Sequence, residues 1–442
     1  MSTSTANNLL YFNGINGATG DYLLPPLPPH DVAALARGES IDPKHLTELK
    51  FKFRNANEPT FAVVEGVDPT RLEEAGWGVI FAGESATPTG FSVAAIRDAL
   101  KELLDHRRTQ AAHLNEKSYQ EFSGPRGYRP GESKQEFLAR LGVGPGPADP
   151  KKGVPYYLLI VGDPQVIPFR IQYQLDVQYA VGRIWFDTLD DYRRYAHSVV
   201  AAEMGKVALP RRAAFFGVSN PNDPATTLSA RQLVAPLAET FGAKPTNGKP
   251  AWDVRTAIGD GQASKSQLAR LLGGEDTPAL LFTASHGMGF PPGDPRQLPH
   301  QGALLCQDWP GRAAWRNPIP TDFYFAGDDV ASNARLAGLI AFHFACYGAG
   351  TPSRNDFAVM PNLTDFSTPR PIVAQLPRKL LAHPSGGALA VVGHVDRAWG
   401  YSFQWANAGP QLQCFQSALD ALKAGKPLGF ALEYFNIRYA EL

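Results

Sequence analysis

Two stretches decide how this chain is read: Leu280-Leu281-Phe282-Thr283-Ala284-Ser285-His286-Gly287 and Ile340-Ala341-Phe342-His343-Phe344-Ala345-Cys346-Tyr347-Gly348. Each is an apolar run of strand length that stops at a reactive side chain close to a glycine. Unbroken apolar runs suit the inner strands of a parallel sheet, which are buried on both faces. Such sheets place reactive groups just beyond the carboxyl ends of their strands. Neighbouring strands lie about 5 Å apart, so His286 and Cys346 at adjacent strand ends can address one carbonyl group. Their separation of sixty positions leaves room for a crossover.

Working outward, the pattern predicts strand 213–218, helices 229–241 and 264–272, and strands 279–284, 339–345 and 388–392. This alternation builds a mostly parallel sheet covered by helices. Upstream, apolar runs at 156–161 and 179–186 precede a helix over 189–203, and helical spacing recurs over 92–107. The stretch 9–84 carries short β-like pieces at 9–12, 61–64 and 79–81 and reads as an N-terminal elaboration. Residues 108–152, rich in Gly and Pro, predict an exposed loop. A boundary near Gly205 separates an N-terminal α/β subdomain, 1–205, from a second subdomain, 206–442.

Composition narrows the class. The hydrophobic fraction of 44% and charged fraction of 19% belong to a globular chain. With 42 basic and 42 acidic residues there is no electrostatic bias toward nucleic acid or an anionic membrane, and neither partner is expected. Three cysteines, Cys306, Cys346 and Cys414, are too few and too odd for a disulfide framework. The polar start from Met1 to Asn8 lacks a signal-peptide pattern, and a cytoplasmic location is expected.

The chemistry follows from the residue types. A thiolate is a strong nucleophile, and imidazole can both take the thiol proton and return it to a departing amine. Gly287, lacking Cβ, can bring its N–H up beside that of Cys346 to face a developing oxyanion. No P-loop lysine motif, His-Glu-x-x-His or Gly-x-Ser-x-Gly occurs, so phosphotransferase, zinc-peptidase and serine-hydrolase readings lack their residues.

At these residues the chain resembles the superfamily of caspases, legumains, separases and gingipains, whose His-Gly and Ala-Cys motifs end adjacent strands. It looks most like the gingipain type through Leu158-Leu159-Ile160-Val161-Gly162-Asp163-Pro164, Asp176, Tyr179, Val181-Gly182-Arg183-Ile184 and a helix ending at Glu203, a likeness spanning roughly 156–405. The resemblance implies a caspase-like α/β fold, a mostly parallel sheet flanked by helices. It also implies a cysteine endopeptidase acting on protein or peptide substrates through a Cys346/His286 dyad and a thioester, with no metal and no cofactor. Where gingipains support the histidine with a carboxylate, this chain has Ser219 and Asn220, so a dyad rather than a triad is expected.

The pocket beside the dyad departs from the family pattern. Thr227 stands where caspases carry a basic and gingipains an acidic pocket residue. The segment His394-Val395-Asp396-Arg397-Ala398-Trp399 resembles the other pocket wall, with Trp399 as its aromatic residue. Asp396 facing the pocket selects Arg or Lys at P1, whereas Arg397 facing it selects Asp or Glu. The expectation taken is a basic P1, through Asp396 or nearby Asp223.

Other features have plainer readings. Cys306 and Cys414 read as structural, His343 as a buried histidine facing away from Cys346, and Gly348-Ala349-Gly350 lacks the third glycine of a dinucleotide loop. His394 follows a strand end without a glycine after it. Arg107-Arg108, Arg126 and Arg129 suggest a processing site at which an activating protease releases a zymogen. Family analogy adds a bacterial stress or defence pathway. Competing functions are a catalytically silent scaffold of the same fold and a thiol transpeptidase or ligase.

Overall fold

The computed structural model describes residues 63–83, 90–144, 146–207, 209–243, 251–353, 367–405 and 409–441. The β-like piece expected at 9–12 lies outside them. Two parallel sheets organise the chain. The first contains β1 (Trp77–Phe81), β2 (Tyr119–Phe122), β3 (Tyr157–Val161) and β4 (Ala180–Ile184) in the order β2-β1-β3-β4. Around it pack helices α1 (Val93–Ala99), α2 (Lys101–Ala111), α3 (Lys134–Arg140), α4 (Phe169–Asp176) and α5 (Leu189–Glu203). The expected boundary near Gly205 falls between α5 and the second sheet.

Two sequence expectations are corrected here. Residues 79–81 belong to β1, an inner strand paired on both sides, rather than to an irregular elaboration. Residues 108–152 are not an exposed loop: they finish α2, supply β2 and form α3, which begins in a capping box at Ser133 and Glu136. Phe122, Tyr128 and Phe137 within them are fully buried, and the Gly and Pro residues mark the tight turns between short elements. Arg107 lies within α2 with both guanidinium nitrogens on Glu203 at 2.6 Å, and Arg108 pairs with Glu121 and covers the Tyr119 ring. A protease needs extended, accessible backbone, and this helix withholds it.

The second sheet holds β5 (Arg212–Gly217), β6 (Asp253–Ile258), β7 (Leu280–Ala284), β10 (Ile340–Phe344) and β13 (Ala390–Gly393), all parallel, in the order β13-β10-β7-β5-β6. Between β7 and β10 the chain forms β8 (Leu304–Leu305) and β9 (Tyr324–Phe325), an antiparallel pair with its own small core. Between β10 and β13 lie β11 (Gly350–Thr351) and β12 (Ile372–Val373), also antiparallel.

Alternate residues of the inner strands face two cores, as the two-residue period of a strand requires. Ala214, Phe216, Leu281, Ala341 and Ala345 meet α8 (Lys265–Leu271) and α9 (Gln375–Leu381). Phe215, Leu280, Phe282, Phe342 and Phe344 meet α7 (Ala235–Gly242) and α10 (Gln413–Lys423). The helix expected over 229–241 starts earlier, as α6 (Pro224–Ser229), and runs through a π-helical turn into α7. Asp223 at its N-cap and Pro224 in the first turn set that start. Strand β6 carried no apolar run to announce it. It is an edge strand with exposed polar positions, its Asp253 paired with Arg212 and Arg255, a charged rim that discourages edge-to-edge pairing.

The two sheets are tied together behind β10. Arg183 on β4 donates to the carbonyls of Gly162 and Ile167 and to Gln172, and stacks on Phe169. Phe169 in turn abuts Gly350, where a Cβ would sit 2.8 Å from its ring. Helix α11 (Leu428–Glu441) also returns to the first sheet, where Gly429 packs against Ala180 and Tyr157.

Phe282 is fully buried on β7, stacked on Phe342 at 4.9 Å and close to Phe215 and Phe415. Phe282→Ala is expected to cost about 3–5 kcal/mol, read as a lowered urea midpoint with an unchanged slope.

Candidate active site

The register of β7 and β10 builds the site. Ala284 pairs with Phe344, and the Ser285 N–H donates to the Phe344 carbonyl at 3.2 Å, so two residues further on His286 stands opposite Cys346. Beyond the strands the chains crowd together. A Cβ on Gly287 would lie 1.8 Å from the Cys346 carbonyl oxygen and 2.9 Å from its nitrogen, so only glycine fits. The far side of the histidine is fixed by the Leu305 N–H on the His286 carbonyl at 2.9 Å and the Met288 N–H on Ala303 at 2.8 Å.

The structure corrects the expectation of a pair without a third carboxylate. His286 Nε2 lies 2.6 Å from Asp223 Oδ2, so the carboxylate expected as an alternative P1 acid is paired with the histidine. Asp223 is also the N-cap of α6, accepting the Ala225 N–H at its other oxygen, 3.1 Å away. Burial alone would raise its carboxyl. The hydrogen bond and charge of His286, with the donors from Thr226 and Ala225, outweigh that and hold it below the ordinary carboxylate range.

Cys346 Sγ accepts the Ala398 N–H at 3.3 Å and faces the Ala398 carbonyl at 3.7 Å. Burial, with some help from Asp396, pushes the thiol up, against the pull of the Ala398 N–H and Arg397. Burial thus favours the protonated form of the thiol.

The loop after β13 is laced to the loop after β10. The Tyr347 N–H donates to Asp396 O at 2.6 Å, the Ala349 N–H to His394 O at 2.9 Å, and the Asp396 N–H to Gly350 O at 3.3 Å. Tyr347 (φ 59°) and Asp396 (φ 73°) both adopt left-handed backbone to make this crossing. Asp396, Arg397, Ala398 and Trp399 thereby stand beside the thiol. The Asp396 carboxylate is buried and lies 4.0 Å from Arg397 Nε. Thr227 shares a hydrogen bond with Ser219 at 3.1 Å, and Leu228 beside it packs on Gly400, so the start of α6 touches this loop.

The remaining candidates have structural settings. His343 is fully buried, 2.9 Å from Thr283 Oγ1, and burial pushes it down to about 4. His394, edge-on to Phe344, is pushed down to about 4 for the same reason, so both imidazoles are neutral. Cys306 is buried with its thiol pushed up by burial. Among the described residues no cluster of His, Cys, Asp or Glu could hold a metal ion, and no helix is long and apolar enough to cross a membrane.

Three contacts around these residues escaped the sequence reading: Asp223 as the partner of His286, Thr226 beside it, and the Ala398 N–H on the thiol. The first two had a signal in Asp223-Pro224, a helix-start signature placing a carboxylate and a hydroxyl in one turn. The third is backbone, which no residue type announces.

No family model matches the chain, and no curated protein matches it in sequence. Two solved structures resemble it. One, described as a protease, has a TM-score of 0.44 and 10% identity over 81% of this chain and 76% of that one. The other, the complex of the Porphyromonas gingivalis RgpB pro- and mature domains, has a TM-score of 0.41 and 11% identity over 83% of this chain and 74% of that one.

A carboxyl lowered by folding stabilises the native state above its unfolded value, and the contribution disappears as pH falls toward the folded value. For Asp223 the loss begins below the ordinary carboxylate value of 3.8. Urea midpoints across acidic pH should therefore fall more steeply for the wild type than for Asp223→Asn.

Proposed function

We propose that the chain is a cysteine endopeptidase in which Cys346 is the nucleophile, His286 the general base and acid, and Asp223 the group that orients the imidazole. The observation that supports this best is the closeness of the chain beyond β7 and β10, Gly287 lying on the Cys346 peptide, with His286 Nε2 beside Asp223 Oδ2 at 2.6 Å. A hydrogen-bonded Nε2 leaves Nδ1 as the imidazole nitrogen available to the thiol. The reading needs no metal or organic cofactor.

With burial favouring the protonated thiol, attack and deprotonation go together. As the sulfur bonds to the scissile carbonyl carbon, its proton passes to His286, and the resulting imidazolium is stabilised by Asp223. The carbonyl oxygen becomes an oxyanion facing the N–H groups of Gly287 and Cys346. Collapse breaks the C–N bond, and His286 returns the proton to the departing amine, leaving a thioester. Water, deprotonated by the same imidazole, then releases the acid and restores the thiol.

The pocket is bounded by residues 396–399 and the start of α6. We take Asp396 as its anion and basic residues as the preferred P1, an incoming guanidinium or ammonium competing with Arg397 for the carboxylate. Substrates are then proteins or peptides cut after Arg or Lys.

A peptidyl chloromethyl ketone should label Cys346, and Cys346→Ala should abolish both labelling and cleavage. Failure of the wild type to label would favour a silent scaffold. Asp223→Asn should lower kcat by roughly a hundredfold or more. In a peptide library varied at P1, Arg and Lys should lead, and acidic residues at the top would transfer the pocket to Arg397. Product masses with an added amine should show hydrolysis, whereas amide products would identify a transferase.

A further inference from the structure

The carboxylate of Asp223 has another partner besides His286 and the helix cap. Thr226, three residues along and buried, places Oγ1 2.9 Å from Asp223 Oδ2, the same oxygen that His286 Nε2 approaches. The direction of this bond is forced. The Asn220 backbone N–H donates to Thr226 Oγ1 at 3.0 Å, and a backbone N–H can only donate, so the hydroxyl proton is left for the carboxylate. An ordinary capping hydroxyl takes an N–H from the helix it begins. Thr226 takes one from outside the helix and passes its own proton to Asp223.

The donor side is itself anchored. Asn220 is buried, and its Nδ2 donates to the carbonyls of Cys306 and Trp309, each at 3.1 Å. Gln307 Nε2 returns a bond to Ser219 O at 3.0 Å. The same segment, through the Leu305 N–H, holds the His286 carbonyl. Residues 305–309 thus brace the histidine from one side and the turn carrying Asp223 from the other.

We propose that Thr226 is a positioning residue for the acid–histidine pair, its hydroxyl fixing the Asp223 carboxylate in the rotation that presents Oδ2 to His286. This rests on the reading of His286 and Cys346 as catalytic. It goes beyond that reading by assigning the orientation of the acid to a relay from Asn220 through Thr226.

The test uses the full chain and two readouts: the far-downfield proton resonance of the His286–Asp223 hydrogen bond, with Asp223→Asn as the control that removes it, and steady-state cleavage of a basic-P1 peptide. Thr226→Val keeps the side-chain shape and removes the hydroxyl, and Thr226→Ser keeps the hydroxyl. Thr226→Val should move or abolish the resonance and lower kcat roughly ten- to hundredfold with KM unchanged, while Thr226→Ser should retain both. A folded Thr226→Val with wild-type resonance and kcat overturns the proposal, as does a Thr226→Ser as impaired as the Val variant. Should Thr226→Val not fold, Thr226→Ala is read in the same way. If the wild type cleaves nothing and Cys346 does not label, the peptidase reading falls, and the resonance in the variants alone decides the role of Thr226.

Discussion

Parallel strands approach only as closely as their hydrogen bonds allow, and past the ends of β7 and β10 the two chains come nearer still, Gly287 lying directly on the Cys346 peptide. That contact governs the site. It keeps the thiol and imidazole on neighbouring strand ends, and no side chain larger than hydrogen can occupy position 287. The sheet supplies the distance, and the glycine lets the loops keep it after the sheet has ended. Beneath them the rings of Phe215, Phe282 and Phe342 pack across the same strands.

Around this pair, the other parts arrive from distant places in the chain. Asp223 comes from the turn after β5, Ala398 from the loop after β13, and Phe169 from the first subdomain, pressed against Gly350 behind the thiol loop. The excursion between His286 and β10 has its own small core and is more than an insertion. Its Leu305, Cys306 and Trp309 backbone groups hold both the histidine and the turn that carries the acid. The first subdomain contributes through packing, with Arg183 spending its donors on carbonyls that position Phe169.

The sequence was legible where one element carried its whole signal. The runs ending at His286 and Cys346 read as inner strands because both faces are apolar, and 189–203 read as a helix because its period is regular. It was opaque where a position depends on a distant partner. Nothing near Asp223 shows that a residue 63 positions away will accept its carboxylate, and its proximity to the pocket segments invited a different role. Strand β6 escaped because edge strands carry polar residues. Residues 108–152 misled because turn formers outnumber the aromatics that pin them, although burial of Phe122, Tyr128 and Phe137 is what decides. The opposed charges of Asp396 and Arg397, adjacent in sequence, remain adjacent in space.

The burial that pushes the Cys346 thiol up bears on its reactivity toward oxidants. The thiolate is the form that attacks peroxides and disulfides, and a cysteine held as an ion pair with histidine offers that form continuously. Here burial disfavours that form. The setting of Cys346 therefore leaves its sulfur less open to oxidants than an ion-paired thiolate would be.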